Sequence, residues 1–209
     1  KILITGGSGL VGKRLNFFFD QLIKEGISLK VISISKQSNN KNSKYGKNIN
    51  FDLSKEEIKK TIPKVDYIFH CAGYGQPGKF LINKLNTINL NTSCLLELLS
   101  RLKNNGKIIY MSSSEVYNNS NIKFPSEKNI GTNNPADARA SYIEAKKCGE
   151  VIINSFNQEN KIKAKGISIR LALAYGAGTQ INDQRVLNQF IVSSIRNNEI
   201  SLLDLGKNS

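Results

Sequence analysis

Lys1-Ile2-Leu3-Ile4-Thr5-Gly6-Gly7-Ser8-Gly9-Leu10-Val11-Gly12 opens the chain, and the expected architecture follows from it. Ile2, Leu3 and Ile4 make an apolar run too short for a helix, which reads as a buried parallel strand. Three glycines follow at once, and from Val11 to Ile23 the apolar residues recur at helical spacing. Strand, Gly-rich turn and helix in that order form a cradle for a diphosphate. Gly6 permits the tight turn, Gly9 lets a phosphate approach the backbone, and Gly12 lets helix and strand pack closely. Leu10 and Val11 fall at cofactor-binding positions where the helix opens, and its unpaired N–H groups and positive dipole end suit an anion. A bare GxGxxG is weak evidence; here the spacing is TGxxGxxG, with the strand and helix that the motif requires on either side.

The 209 residues suffice for one α/β domain with a sizeable core. The chain starts on a strand at Lys1 without a methionine and reads as a fragment. No apolar run approaches membrane-spanning length and no signal segment precedes the first strand, so no membrane partner is expected. Cys71, Cys94 and Cys148 are scattered and lack CxxC spacing. They read as reduced core residues of a cytoplasmic protein, with neither disulfide nor metal implied.

The formal net charge of +14 raises the question of nucleic acid. Much of the lysine lies among asparagines, in the loops around Lys36 to Lys47 and Lys103 to Lys107. No aromatic-interleaved basic stripe accompanies it. A solvated Lys/Asn-rich surface is the better reading, and no nucleic-acid partner is expected.

Gly26 is a cap for the first helix, and Leu29 to Ile34 is a second strand. Folds that prefer NAD place an acid at the end of this strand to hold the ribose hydroxyls. This chain offers Ser33, Ser35 and Lys36. Either Ser35 and Lys36 accommodate a 2′-phosphate, which would make NADP possible, or they belong to a solvent loop. A loop from Lys36 to Asn48 leads to a short third strand ending in Phe51-Asp52-Leu53. Ser54-Lys55-Glu56-Glu57 is a capping box for a helix that stops before Pro63. Val65 to Ala72 is a fourth strand closed by Gly73. A long helical pattern through Leu90, Leu95, Leu96, Leu98, Leu99 and Leu102 ends at Asn104-Asn105-Gly106. Lys107 to Met111 is then a fifth strand. Strands alternating with helices at this pitch imply a Rossmann-type doubly wound parallel sheet with helices on both faces, class α/β.

In such a sheet, ligands sit beyond the carboxyl ends of the strands, where Ser112-Ser113-Ser114-Glu115-Val116-Tyr117 falls. Further on, Tyr142 and Lys146 lie in a helical stretch from Ser141 to Phe156. Their i, i+4 spacing puts phenol and ammonium on one helical face. A lysine held there favours the phenolate, making it usable as a base near neutrality. The same spacing also describes an ordinary exposed helix face.

Taken together, Thr5-Gly6-Gly7-Ser8-Gly9-Leu10-Val11-Gly12, the serine run ending in Val116-Tyr117, and Tyr142-xxx-Lys146 resemble the extended short-chain dehydrogenase/reductases, in the branch of NAD-dependent epimerases and dehydratases that modify nucleotide-sugars. The resemblance covers essentially the whole chain. It implies a bound NAD, with Tyr142 as catalytic base, Lys146 on the nicotinamide ribose and Ser113 assisting. It further implies that Asp52 and Leu53 contact the adenine, and that Ala72 and Gly73 flank the cofactor after the fourth strand. Asn91 matches the asparagine of an NxxGT motif whose Gly and Thr are Cys94 and Leu95 here.

Within the family, Ser113-Ser114-Glu115-Val116-Tyr117, Arg139-Ala140-Ser141-Tyr142 and Asn182-Asp183-Gln184-Arg185-Val186 look most like UDP-glucuronate decarboxylases, then dTDP-glucose 4,6-dehydratases. The dehydratases carry an acid pair before Val-Tyr; the first position is Ser114 here. Glu115 is then a candidate acid/base near C5, or else an exposed loop glutamate. Ser114, Arg139 and Arg185 fall at substrate-binding positions, although Arg185 could instead pair with Asp183 or Glu199. Leu173 stands where many members have an asparagine that holds the substrate diphosphate. His70, the only histidine, reads as structural.

The implied activity is oxidation of a nucleotide-sugar at C4, followed by decarboxylation or 4,6-dehydration. Epimerisation, NADPH-dependent keto reduction and a non-catalytic NAD(P)-binding protein are the alternatives. The tail from Ile200 to Gly206 looks like the strand before a substrate-binding lobe that is mostly missing. A homodimer is implied, through the leucine-rich stretch Leu90 to Leu102 and the helix after Ser141.

Overall fold

The computed structural model describes residues 1–36, 43–55, 58, 62–159 and 161–197. The capping-box helix after Ser54 and the strand at Ile200 to Gly206 lie largely or wholly outside them. Six parallel strands form one sheet: β1 (Ile2–Thr5), β2 (Val31–Ser35), β3 (Lys47–Asn50), β4 (Val65–His70), β5 (Leu102–Ser113) and β6 (Lys165–Leu171). Their order is β3-β2-β1-β4-β5-β6, the doubly wound Rossmann arrangement, with the direction of winding reversing between β1 and β4.

The period-2 alternation of β1 divides the core. Ile2 and Ile4 pack with Val31 against Phe19 of α1 (Leu10–Lys24) on one face. Leu3 faces the other way, into a larger cluster with Ile32, Ile34, Ile68, Leu95, Leu98 and Tyr110. Helices α2 (Pro77–Phe80), α3 (Lys84–Asn91), α4 (Ser93–Leu99) and α5 (Ala140–Glu159) lie between β4 and β6 in sequence; α6 (Val186–Asn197) follows β6. α5 closes the larger cluster through Ile153.

The leucine pattern is not one helix. Backbone angles of φ −122° and ψ −87° at Thr92 separate α3 from α4, and the helical run stops at Leu99. Leu102 already belongs to β5. Asn104-Asn105-Gly106 forms a bulge inside that strand: Val65 aligns with Leu102 but Tyr67 with Lys107, and Asn105 takes φ 59°. Strand β3 ends at Asn50, ahead of Phe51-Asp52-Leu53. Of the cysteines only Cys94 is buried in the core; Cys148 is exposed on α5, and all three are free thiols. No helix of the described residues is long and apolar enough to cross a membrane.

Candidate functional site

The reversal between β1 and β4 puts two backbone turns side by side at the carboxyl edge of the sheet. Gly6 has φ +68°, a region closed to most side chains, and a Cβ there would meet Ala72 N and Cys71 O at 2.7 Å. At Gly12 a Cβ would stand 2.2 Å from the Gly6 carbonyl oxygen. The turn is thus as tight as its backbone allows, and it delivers the first N–H groups of α1 to the sheet edge. Beside it, Leu10, Val11 and Arg14 line a cleft of about 340 Å³ with Ala174, Tyr175, Gly176 and Ala177. A Cβ on Gly73, at the neighbouring strand end, would come 3.9 Å from Lys146 Nζ. Glycine turn, helix terminus and cleft fit a dinucleotide diphosphate.

The two turns are pinned from below by the single histidine. The Thr5 hydroxyl donates to His70 Nδ1 at 2.8 Å and accepts from Ala72 N at 3.2 Å. His70 Nε2 reaches the Leu90 carbonyl at 2.9 Å, which requires Nε2–H and leaves Nδ1 as acceptor. Burial, aided by the Lys146 charge, holds the ring neutral with its pKa down at about 4. His70 is structural.

Tyr142 and Lys146 share the buried face of α5. Phe80 of α2 stacks flat on the Tyr142 ring, with centroids 4.5 Å apart, and the Arg139 guanidinium lies over the Phe80 ring at 5.1 Å. The Ser113 side chain lies near the phenol and favours its ionised form. The lysine does not turn Tyr142 into an acidic phenol. Burial raises the pKa of Tyr142, and Ser113, Arg139 and Arg185 only partly oppose this. Lys146 is itself driven down to about 8 by burial. Its Nζ donates to the Met111 carbonyl at 2.6 Å and sits 5.1 Å from the Tyr110 ring centre and 5.8 Å from that of Tyr142.

Other sequence candidates are placed less simply. Ser113 caps the 3-10 turn Ser114–Tyr117 by accepting from Glu115 N, so the serine run turns at the strand end. Glu115 is not a free loop glutamate; it forms a two-pronged ion pair with Arg139, Nε to Oε2 measuring 3.1 Å. Arg185 takes the ion-pair option, gripping both oxygens of buried Asp183; Glu199 lies outside the described residues. Lys36 at the end of β2 pairs with Asp52 Oδ2 at 3.2 Å, while Ser54 holds Asp52 Oδ1. Ser35 is buried, the Leu53 side chain belongs to the main core, and Leu173 is exposed. Asn91 is also buried, accepting from Tyr110 OH at 2.8 Å and donating to Thr87 O. It supports Tyr110, the ring beneath Lys146. Among the described residues no group of three or more His, Cys, Asp or Glu could hold a metal ion.

Phe80, Tyr110, Glu150 and Arg170 were not singled out by sequence as site residues. Glu150 had a signal, being one further helical turn beyond Lys146. Phe80, in a four-residue helix, had none.

Known proteins resemble this chain over nearly its whole length. The family model described as "NAD dependent epimerase/dehydratase family" matches residues 2–209. The UDP-glucuronic acid decarboxylase 1 of Xenopus tropicalis is 28% identical over 213 residues, 99% of this chain and 49% of that protein. The chain thus spans about half the length of that relative. A UDP-N-acetylglucosamine 4-epimerase from Methanobrevibacter ruminantium, solved with UDP-N-acetylmuramic acid, is 25% identical with a TM-score of 0.72, covering 95% of this chain and 63% of its own. The UDP-glucose 4-epimerase of Thermotoga maritima shares the fold at a TM-score of 0.78 and 23% identity, covering 98% and 66%.

Proposed function

The chain belongs to the NAD dependent epimerase/dehydratase family, and on that premise we propose that it oxidises a nucleotide-sugar at C4 and then releases the C6 carboxylate as carbon dioxide or eliminates water across C5 and C6. The observation that carries this reading is the buried Tyr142 phenol with Ser113 near it and Lys146 one turn away, beside the glycine turn. NAD, when bound, would supply the hydride acceptor for C4 and the positive charge of its nicotinamide ring. Tyr142, which burial keeps protonated in the chain alone, would act as the phenolate once the positive nicotinamide ring is bound and take the 4-hydroxyl proton, with Ser113 beside the same oxygen. Lys146, already engaged by the Met111 carbonyl, would hold the cofactor ribose with its remaining N–H bonds.

The resulting 4-ketone acidifies C5, and Glu115, paired with Arg139, moves a proton there in this reading. With Ser114 in place of an acid, decarboxylation is favoured over dehydration, and the curated relative is a decarboxylase. C4 epimerisation is the second reading, supported by the 25% identity to a 4-epimerase. The protein acts as a homodimer in this reading. Leu90, Leu95, Leu98, Leu99 and Leu102 are spent in the chain's own core, which leaves Leu85, Ile88, Leu96 and Val151, all exposed on α3, α4 and α5, for the second copy.

The test is turnover of UDP-glucuronate, with NAD reduction followed by absorbance and carbon dioxide collected. Tyr142→Phe should bind NAD within about threefold of wild type and lose hydride transfer by at least ~10³-fold. Turnover near the wild-type rate would overturn the assignment. A C4 epimer without carbon dioxide would select the second reading.

A further inference from the structure

The catalytic groups proposed above come from two separate pieces of chain: the end of β5 with its 3-10 turn, and α5. One carboxylate joins both to β6. Glu150 lies one turn beyond Lys146 and two beyond Tyr142 on the same face of α5. Its Oε1 accepts from Ser112 Oγ at 2.5 Å and from Arg170 Nε at 2.9 Å; its Oε2 accepts from Arg170 Nη2 at 2.7 Å. Arg170 passes the link on. Its Nη1 donates to Tyr117 OH at 2.9 Å and to the Glu127 carbonyl at 2.8 Å, with the guanidinium over the Tyr117 ring.

We propose that Glu150 is the positioning residue of this site, holding Ser113 and the Glu115-bearing turn against the helix of Tyr142 through Ser112 and Arg170, and supplying the anion that faces the Lys146 ammonium. The inference rests on the roles given to Tyr142 and Lys146. The fork-on-fork pair is geometrically strict, so removing either partner loosens the β5 end and the turn together. Ser112 is the immediate neighbour of Ser113, and Tyr117 closes the turn containing Glu115, so the slack falls on the groups that meet the substrate. The titratable groups facing Lys146 are Cys71 and His70 from β4 and its end, Tyr110 from β5, and Tyr142 and Glu150 from α5. In the chain without cofactor, burial keeps Cys71, Tyr110 and Tyr142 protonated and His70 neutral. Glu150 is held ionised: burial opposes this, but Arg170 and Ser112 outweigh it. It is therefore the anion of that set at neutral pH.

A purely structural staple would change stability and overall rate without moving a titration, which gives the test. NAD affinity and the rate of NAD reduction are measured from pH 6.5 to 9.5 for wild type, Glu150→Gln and Glu150→Asp, with folding checked by circular dichroism. Wild type should lose NAD affinity as Lys146 deprotonates near pH 8, and this alkaline limb of the affinity is the one compared among the variants. Glu150→Gln should move that alkaline limb down by roughly one pH unit and lower the rate about tenfold or more. Glu150→Asp keeps the charge but shortens the reach, so its limb should stay in place while the rate falls. A folded Glu150→Gln protein with an unmoved limb overturns the proposal. If Glu150→Gln does not fold, a Glu150→Asp limb that shifts, or a rate that stays at the wild-type value, overturns it. The NAD titration reads Lys146 even if the assigned reaction is wrong. Failure of the wider reading would appear instead as Tyr142→Phe turning over normally.

Discussion

Acid should weaken this fold through one side chain in a pH range where no other side chain of ordinary pKa titrates. His70 is the only histidine, and its pKa falls from 6.5 in the unfolded chain to about 4 when buried between Thr5 and Leu90. A depressed folded pKa means that the unfolded chain binds the proton first. Stability is then complete above pH 6.5 and declines as pH falls towards 4. Over the full separation the loss is about 3.4 kcal/mol, and between pH 7.5 and pH 5.0 about 2 kcal/mol. Carboxylates with pKa values near 4 contribute little above pH 5. The measurement is urea unfolding at pH 7.5 and 5.0, for wild type and His70→Asn. The wild-type midpoint should drop by roughly 1 M, taking an m-value of about 2 kcal/mol/M. The variant, less stable at pH 7.5, should show a much flatter pH dependence. Equal pH dependence in the two proteins would refute the burial and hydrogen-bonding account of His70.

Two glycines make further predictions. Gly12→Ala sets a Cβ 2.2 Å from the Gly6 carbonyl oxygen, a backbone atom that cannot swing aside. It should weaken NAD binding at least tenfold by calorimetry, and unchanged affinity would mean the turn is not the cradle. Gly149→Ala drives a Cβ to 2.3 Å from the Tyr110 hydroxyl. Overpacking of ~1–3 kcal/mol and the lost Tyr110–Asn91 bond of ~1 kcal/mol outweigh the ~1 kcal/mol that alanine gains in a helix. A net loss of about 1–3 kcal/mol should appear in thermal melts, and a melt at or above wild type would refute it.

The parts of this protein that were legible in advance are those whose cause is local. The strand, turn and helix of Ile2 to Lys24 follow from hydrophobic period and glycine spacing within a couple of dozen residues. The same holds for Tyr142 and Lys146, whose common face is a property of one helix. The leucine run misled because its spacing is continuous across Thr92 and into Leu102, where backbone angles and strand pairing, rather than periodicity, set the element.

The sequence by itself determined the parallel α/β layout, the glycine cradle and the Tyr142–Lys146 pair, because short-range sterics and helical geometry dictate them. Only the tertiary structure decided which charge answers which. Arg139 turns to Glu115, Lys36 to Asp52, Arg185 to Asp183 and Arg170 to Glu150, and Phe80 covers Tyr142. It also decided that burial raises the phenol's pKa. Desolvation and ion pairing depend on every atom within a few ångströms, and most of those atoms come from distant parts of the chain.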